Sequence, residues 1–563
     1  MATSDAFSAA QSGWWRSGDP WLWINATAVA ASLLAVGGVL LLITWSGLAH
    51  FWPDRVYELT VRVGATTETV IGARADSESL SRKQYSEATG VPESQLPEPV
   101  ERWLIKQGNR REAPRDFRWI ARHTIDDVDT PANLWVLERT EWGNAYGRLI
   151  SATYDGAREV AGGVRQSAFA QAQMRSATLR RAIAALEEGE LSEINYELER
   201  LRLHERRLLL GSGPSGDQSS TRNDIDRRRT ALRARYDLAL VELTALRRAL
   251  DRDSIELELA SGAVVEIPLA TIVRAWQPNA MSSAQKLVHF LRSLGSFLSS
   301  GPREANTEGG VFPAIFGTVM MVLLMALLVT PLGVLAAIYL SEYARQGAMV
   351  QLIRVAVNNL AGVPSIVYGV FGLGFFVYFL GGNIDRLFFP EALPAPTFGT
   401  PGILWASLTL ALLTVPVVIV STEEGLARIP RTLREGSLAL GATKAETLFR
   451  IVLPIAAPSI LTGVILAVAR AAGEVAPLML VGVVKLAPAL PVDGNFPFVH
   501  LERKFMHLGF HIYDVGFQSP NVEAARPLVY ATALLLVLIV LSLNLAAIWL
   551  RGRLEQRFRG MEH

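Results

Sequence analysis

The sequence predicts an all-α polytopic membrane protein of six spans, with an α+β soluble domain inserted after the first. Three observations carry that reading. Half of the 563 residues are hydrophobic, and they gather in a few long blocks from which charge is nearly absent. Between the first block and the second lie more than two hundred residues of ordinary soluble composition. A polar segment with its own helical pattern, Arg434 to Pro454, is held between two later blocks where a few residues would suffice as a tether.

Composition removes several classes of function. The 54 basic and 53 acidic residues balance, so no overall field favours nucleic acid. The absence of cysteine excludes disulfides, thiol catalysis and thiolate metal sites. The eight histidines are read as forming no pair at metal-ligand spacing, and no glycine-rich phosphate loop ending in Gly-Lys-Ser/Thr occurs. The chain is therefore not expected to be an enzyme, to carry its own ATPase, or to need a cofactor.

Residues 1–52 are read as an N-terminus and a retained first span. The apolar run from Trp21 to about Thr44 is too long for a signal-peptide core, and Trp21, Trp23, Trp45 and Trp52 stand near its ends as interfacial aromatics do. Residues 53–306 form the insert. Val56 to Val63 and Leu134 to Arg139 have strand character. A helical hairpin like an antiparallel coiled coil is expected over about 164–251. Leu191, Ile194, Leu198, Leu201 and Leu208 make one stripe, and Leu232, Tyr236, Ala239, Leu243, Leu246 and Leu250 the other, about a Gly/Ser/Pro loop from Gly211 to Ser220. The dense Arg and Glu between these positions read as a solvated face. Ile255 to Leu259 alternates, turns at Ser261-Gly262 and resumes at Val264 to Ile267, the pattern of a β-hairpin. An amphipathic stretch from Ser283 to Ser299 returns the chain to the bilayer.

Residues 307–563 hold five more apolar blocks: Phe312 to Leu340, about Leu352 to Leu380, Ile403 to Val420, Ile460 to Val484 and Leu528 to Leu550. Each matches the roughly 20 residues that cross a bilayer. Asn358-Asn359 and Gly362-Val363-Pro364-Ser365 predict a bent or two-part helix in the second of these. The polar segment is expected to break at Gly441 and stop at Pro454. Arg428, Arg431, Arg434, Lys444 and Arg450 around it, and Arg551, Arg553, Arg557 and Arg559 in the tail, put both regions and both termini in the cytoplasm. The insert, with the loops Gly381 to Pro401 and Lys485 to Pro527, then lies outside. Within the block after the polar segment, Arg470 and Glu474 are four apart, the spacing of a pair on one helical face, and Pro477 is expected to kink that helix beside them. Such a pair serves either as a structural lock or as a path for an oxyanion, whose tetrahedral oxygens suit the guanidinium.

Glu435, Gly441, Ile451, Leu453 and Pro454 carry a resemblance to the coupling loop of bacterial ATP-binding-cassette importer permeases. The departure is Gly436-Ser437, where that family usually has two alanines. Asn306-Thr-Glu-Gly-Gly, Thr330-Pro-Leu-Gly-Val, Ala337-Ile-Tyr-Leu-Ser-Glu-Tyr, Pro364-Ser-Ile-Val, Val415-Pro-Val-Val-Ile, Thr422-Glu-Glu and Leu461 to Leu478 narrow it to the permease subunits of phosphate importers, the PstA type. It covers about Asn306 to Leu550. The insert and the longer stretch before the last span, with Phe496, Phe498, Phe505 and Phe510, have no counterpart in it.

The resemblance implies a type I importer permease fold and a subunit that imports inorganic phosphate. Its implied partners are a homologous permease, two ATP-binding ATPase subunits and a periplasmic phosphate-binding protein, in a bacterial inner membrane and among its lipids. It implies that residues about 422–457 form the coupling loop, with Arg434, Glu435, Gly441, Ile451, Leu453 and Pro454 meeting an ATPase, and that Arg470, Glu474 and Pro477 line the path. Sulfate or molybdate is the nearest alternative substrate. A membrane-anchored sensor or scaffold built on the hairpin is the alternative from another class.

Overall fold

In hydrocarbon every backbone N–H and C=O must be satisfied within its own segment, so the apolar blocks form helices. The computed structural model describes residues 18–111, 116–154, 157–160, 166–211, 218–519 and 522–559. Among these, six helices are long and apolar enough to cross a membrane: Asp19–Ala49, Phe312–Tyr343, Ser365–Phe388, Ile403–Ala427, Lys444–Gly473 and Ala525–Arg553, the first to sixth spans below. The expected N-terminal segment before Gly18 lies outside the described residues, as do residues 164–165 and 212–217 of the expected hairpin.

The second, fourth and fifth spans share one core, in which Met321, Met325, Val329, Leu410, Ala411, Ala467 and Ala471 are buried together. The first span packs against the sixth, and Gly47 sets the approach, since a Cβ there would stand 3.0 Å from the Tyr530 carbonyl oxygen.

Two spans begin and end elsewhere than expected. Pro364 lacks an N–H and drives Val363 out of the helical region. The helix Ala348–Leu360 therefore stops, and the third span starts afresh at Ser365. It then runs to Phe388, into the expected outer loop, because Gly381 and Gly382 keep helical dihedrals. The fifth span is Lys444–Gly473 rather than Ile460 to Val484. Pro454 does not stop it. A wide π-type turn at Leu448–Val452 precedes the proline, and Pro454 sits in the first turn of the regular helix Leu453–Gly473, where its missing N–H costs least.

The insert holds two antiparallel sheets. Strands β1 (Val56–Val63), β2 (Thr66–Leu80), β3 (Val100–Lys106), β4 (Phe117–Ala121) and β5 (Ile125–Asp129) lie in the order β4-β3-β2-β1-β5. Strands β6 (Leu134–Arg139), β7 (Asn144–Tyr154), β8 (Ala157–Val160), β9 (Ser254–Glu258), β10 (Val264–Pro268) and β11 (Ile272–Trp276) form the other, ordered β10-β9-β7-β6-β11 with β8 on β7. The β9–β10 turn uses Gly262 at φ +77°, a conformation that a side chain disfavours. Between β8 and β9 rises the helical hairpin. Its first arm, Gln166–Leu209, contains a π-type turn at Leu186–Leu191, and its second arm is Gln218–Asp251. Leu191 meets Ala239 and Leu243 between the arms. Glu187–Arg247, Glu190–Arg235 and Glu205–Arg229 pair across them, so the arms are antiparallel. The helix Ser283–Ser299, capped by Ser282 and Gln285, leads back to the second span.

Candidate functional site

The polar segment folds as a helix, a turn and a second helix. Arg431–Ala439 ends where Gly441 takes φ +87°, and Gly441 N–H and Ala442 N–H donate back to the carbonyls of Leu438 and Ser437. Thr443 then caps the next helix, its hydroxyl accepting from Glu446 N–H while the Glu446 carboxylate accepts from Thr443 N–H. The Ser437 and Thr447 hydroxyls, 2.9 Å apart, tie the two helices together.

One face of this motif is held by the spans. Leu448, Val452 and Ala456 are buried with Ile338, Leu426 and Ile429. The other face is open: Glu435 and Gly441 are exposed, and so are Leu433, Leu438, Phe449 and Leu440, the last 91% exposed. Exposed apolar side chains in this number mark an interaction surface. Ile451, Leu453 and Pro454 are half-buried. Arg434 turns inward, donating to the carbonyls of Leu426 at 2.7 Å and Ile429 at 3.3 Å, and pairs with Glu342 at 2.9 Å.

Arg470 occupies the last turn of the fifth span, and its Nε lies 3.7 Å from Glu474 Oε1. The two do pair, but not on a continuous helix. The helix ends at Gly473, and Glu474 is extended with ψ 132°. Pro477 likewise kinks nothing: it caps the short helix Leu478–Val481. This turn is pressed into the third span at two glycines. A Cβ on Gly369 would stand 2.7 Å from Pro477 Cα, and one on Gly372 3.0 Å from a Val481 methyl. Arg470 Nε is buried without a hydrogen-bond acceptor among the described residues, so the guanidinium keeps donor capacity for an anion. Coupling-type motif and Arg470 lie at opposite ends of one helix.

Sequence reasoning passed over other polar groups. Asn306 is fully buried and donates to the Lys485 carbonyl at 2.8 Å and to Asp514 at 3.3 Å, while Lys485 Nζ stands 3.0 Å from Asp514. Asn306 opens a quoted motif, whereas Asp514 stands alone in the sequence and gives no signal. His507 and His511 are four apart, a spacing wrongly set aside above. Both are buried, and burial pushes each down to about 4. No group of three or more His, Asp or Glu placed to hold a metal occurs among the described residues. In the same outer region Asp493 accepts from Asn495 N–H and pairs with Arg503 at 2.7 Å and His500 at 3.0 Å. Burial would raise its carboxyl, but these bonds outweigh burial and hold it at about 2.

Residues 329–560 match the family described as "Binding-protein-dependent transport system inner membrane component". The phosphate transport system permease protein PstA 1 of Mycobacterium tuberculosis (strain ATCC 25618 / H37Rv) is 34% identical over 324 residues, 56% of this chain and 92% of that protein. Phosphate transport system permease protein PstA of Mycobacterium leprae is 38% identical over 239 residues, 42% of this chain and 69% of that one. The probable permease YqgI of Bacillus subtilis (strain 168) is 31% identical over 45% of this chain and 82% of its own length. Six apolar helices, a helix-turn-helix between the fourth and fifth, and relatives aligned over most of their length agree: the chain belongs to the PstA-type family of ABC importer permeases, the multi-pass membrane components of these transporters.

Proposed function

We propose that this chain forms one half of the translocation path of an ATP-driven importer of inorganic phosphate. Arg470 carries the reading. It is an arginine at the end of an apolar span, held by Glu474 at 3.7 Å and with its Nε lacking an acceptor. A dehydrated oxyanion arriving there finds a planar donor set, and Glu474 keeps the charge from being unpaired when the site is empty. Pro477 fixes the turn that carries Glu474.

The partners in this reading are a homologous permease, two ATPase subunits and a periplasmic phosphate-binding protein. The open face of Arg431–Val452, with Glu435, Leu440 and Phe449, docks on an ATPase, and closure of the ATPase dimer tilts the spans between outward-open and inward-open states. The arginine-rich flanks of that motif keep it and both termini in the cytoplasm, which leaves residues about 53–306 in the periplasm. The test is uptake of radiolabelled phosphate, at micromolar supply, in cells lacking this gene and restored with wild type or Arg470→Ala. Rescue by wild type alone, with the variant inserted normally, supports the reading. Undiminished uptake on deletion transfers the assignment to sulfate or molybdate, and an Arg470→Ala chain that fails to assemble makes the pair a structural lock.

A further inference from the structure

We infer that Glu342 is a positioning residue that fastens the coupling motif to the second span, so that force from an ATPase reaches that span as well as the two spans the motif joins. The inference rests on the docking role proposed for Arg431–Val452 and adds the route by which the motif acts.

Glu342 lies in a π-type turn, Tyr339–Tyr343, that ends the second span. It grips the motif at two points. Its carboxylate takes Arg434, in the first helix of the motif, at 2.9 Å, with both side chains largely covered. Its backbone carbonyl takes the Lys444 ammonium at the start of the second helix, and that ammonium also lies 4.5 Å from the centre of the Tyr343 ring. The two helices meet at Gly441, so one residue of the second span bridges both sides of the only break in the motif.

Arg434 is not available to swing away. It also donates to the carbonyls of Leu426 and Ile429, at and just past the end of the fourth span. The π-type turn is braced from the other side. Arg354 donates to the Leu340 carbonyl at 3.5 Å and pairs with Glu423 of the fourth span at 3.3 Å, while Gln346 donates to Leu340 at 3.1 Å. Ile338 packs under the motif against Leu448 and Val452. Wide helical turns are places where a helix can change register, and here one is clamped between the motif and the fourth span. A half-buried pair at 2.9 Å in such a clamp transmits displacement, whereas an exposed one would yield to water.

The experiment uses the whole transporter, with its ATPase and partner permease, in proteoliposomes, and reads phosphate taken up per ATP hydrolysed. Glu342→Gln keeps the backbone contact to Lys444 and removes the ion pair. It should lower that ratio about fivefold, the equivalent of about 1 kcal/mol, while the ATPase still co-purifies and hydrolyses ATP. Glu342→Asp keeps the charge and should recover part of the ratio, which a loss of folding could not do. An unchanged ratio in Glu342→Gln, or a Glu342→Asp chain no better than Glu342→Gln, overturns the inference. If wild-type motif and ATPase do not associate, or Gly441→Pro leaves coupling intact, the underlying docking role fails instead, and the Glu342 ratio reports nothing of that kind.

Discussion

Arg207, on the first arm of the inserted hairpin, pairs with Glu391 in the loop after the third span, a carboxylate only 3% exposed. Burial pushes the Glu391 carboxyl up, and the hydrogen bond from Arg207, a backbone N–H and the Arg207 charge together outweigh it, holding the group below the usual range. Tyr196 of the same arm donates to the Phe496 carbonyl, so the hairpin touches two loops of the membrane part. Arg207→Ala leaves a buried charge alone and should loosen the hairpin by about 1–2 kcal/mol, discounted because Arg207 is half exposed. Faster nicking of residues 166–251 by added protease checks this, and Glu391→Gln in the same chain should slow it again.

Gly369 faces a backbone atom rather than a flexible side chain, at 2.7 Å from a built Cβ. Gly369→Ala should therefore push the Glu474–Pro477 turn away from the third span. Transport should fall several-fold with normal insertion, whereas Gly374→Ala, with open space around it, should be silent.

Gly441 at φ +87° has nothing near its missing Cβ, so strain alone decides its substitutions. Gly441→Ala should cost about 1 kcal/mol and keep uptake. Gly441→Pro cannot reach that φ and loses the N–H bonded to Leu438, so it should disconnect ATP hydrolysis from uptake. Paired uptake and ATPase assays on both variants separate these outcomes.

His507 and His511 set a pH dependence. Their folded pKa values are about 4 against an ordinary 6.5, so the unfolded chain binds protons that the folded chain refuses. Stability is fully present above about pH 6.5 and is lost as pH falls toward 4, by about 2 kcal/mol for each histidine at pH 5. Thermal unfolding of the purified chain at pH 7.5 and 5.0 should show the loss, and a double substitution to glutamine should shrink it, leaving the share of His50 and His289, which burial also pushes down to about 4.

The helices and their cause were readable because apolar blocks and leucine stripes are local signals. Val56–Val63, Leu134–Arg139 and Ser283–Ser299 have the limits their patterns suggest. Strand β2, Thr66–Leu80, was hidden because more than half of it is charged or hydroxylic with no clean alternation. The pairing of β7 with β9 was hidden for another reason: about a hundred residues of hairpin separate them in sequence, and no local pattern encodes a partner so distant. At the candidate site, the residue types were legible and the backbone was not. Arg470 and Glu474 were found by their cost in a span, yet a spacing of four fits a helix and a capped turn alike. Glu342 was quoted within a motif, but its hold on Arg434 depends on a tertiary contact.

The continuity of the fifth span gives the molecule a rod. From Lys444 to Gly473 the helix runs 30 residues, about 45 Å at 1.5 Å per residue, and Pro454 rides within it. Its wide turn at Leu448–Val452 lies near the lower end, beneath the regular helix Leu453–Gly473. Its bearing is the left-handed turn at Gly441 below, and its free end is the last turn that carries Arg470 above. A small angular stroke at the lower end would thus be delivered at the upper end as a sideways sweep of the Arg470 guanidinium.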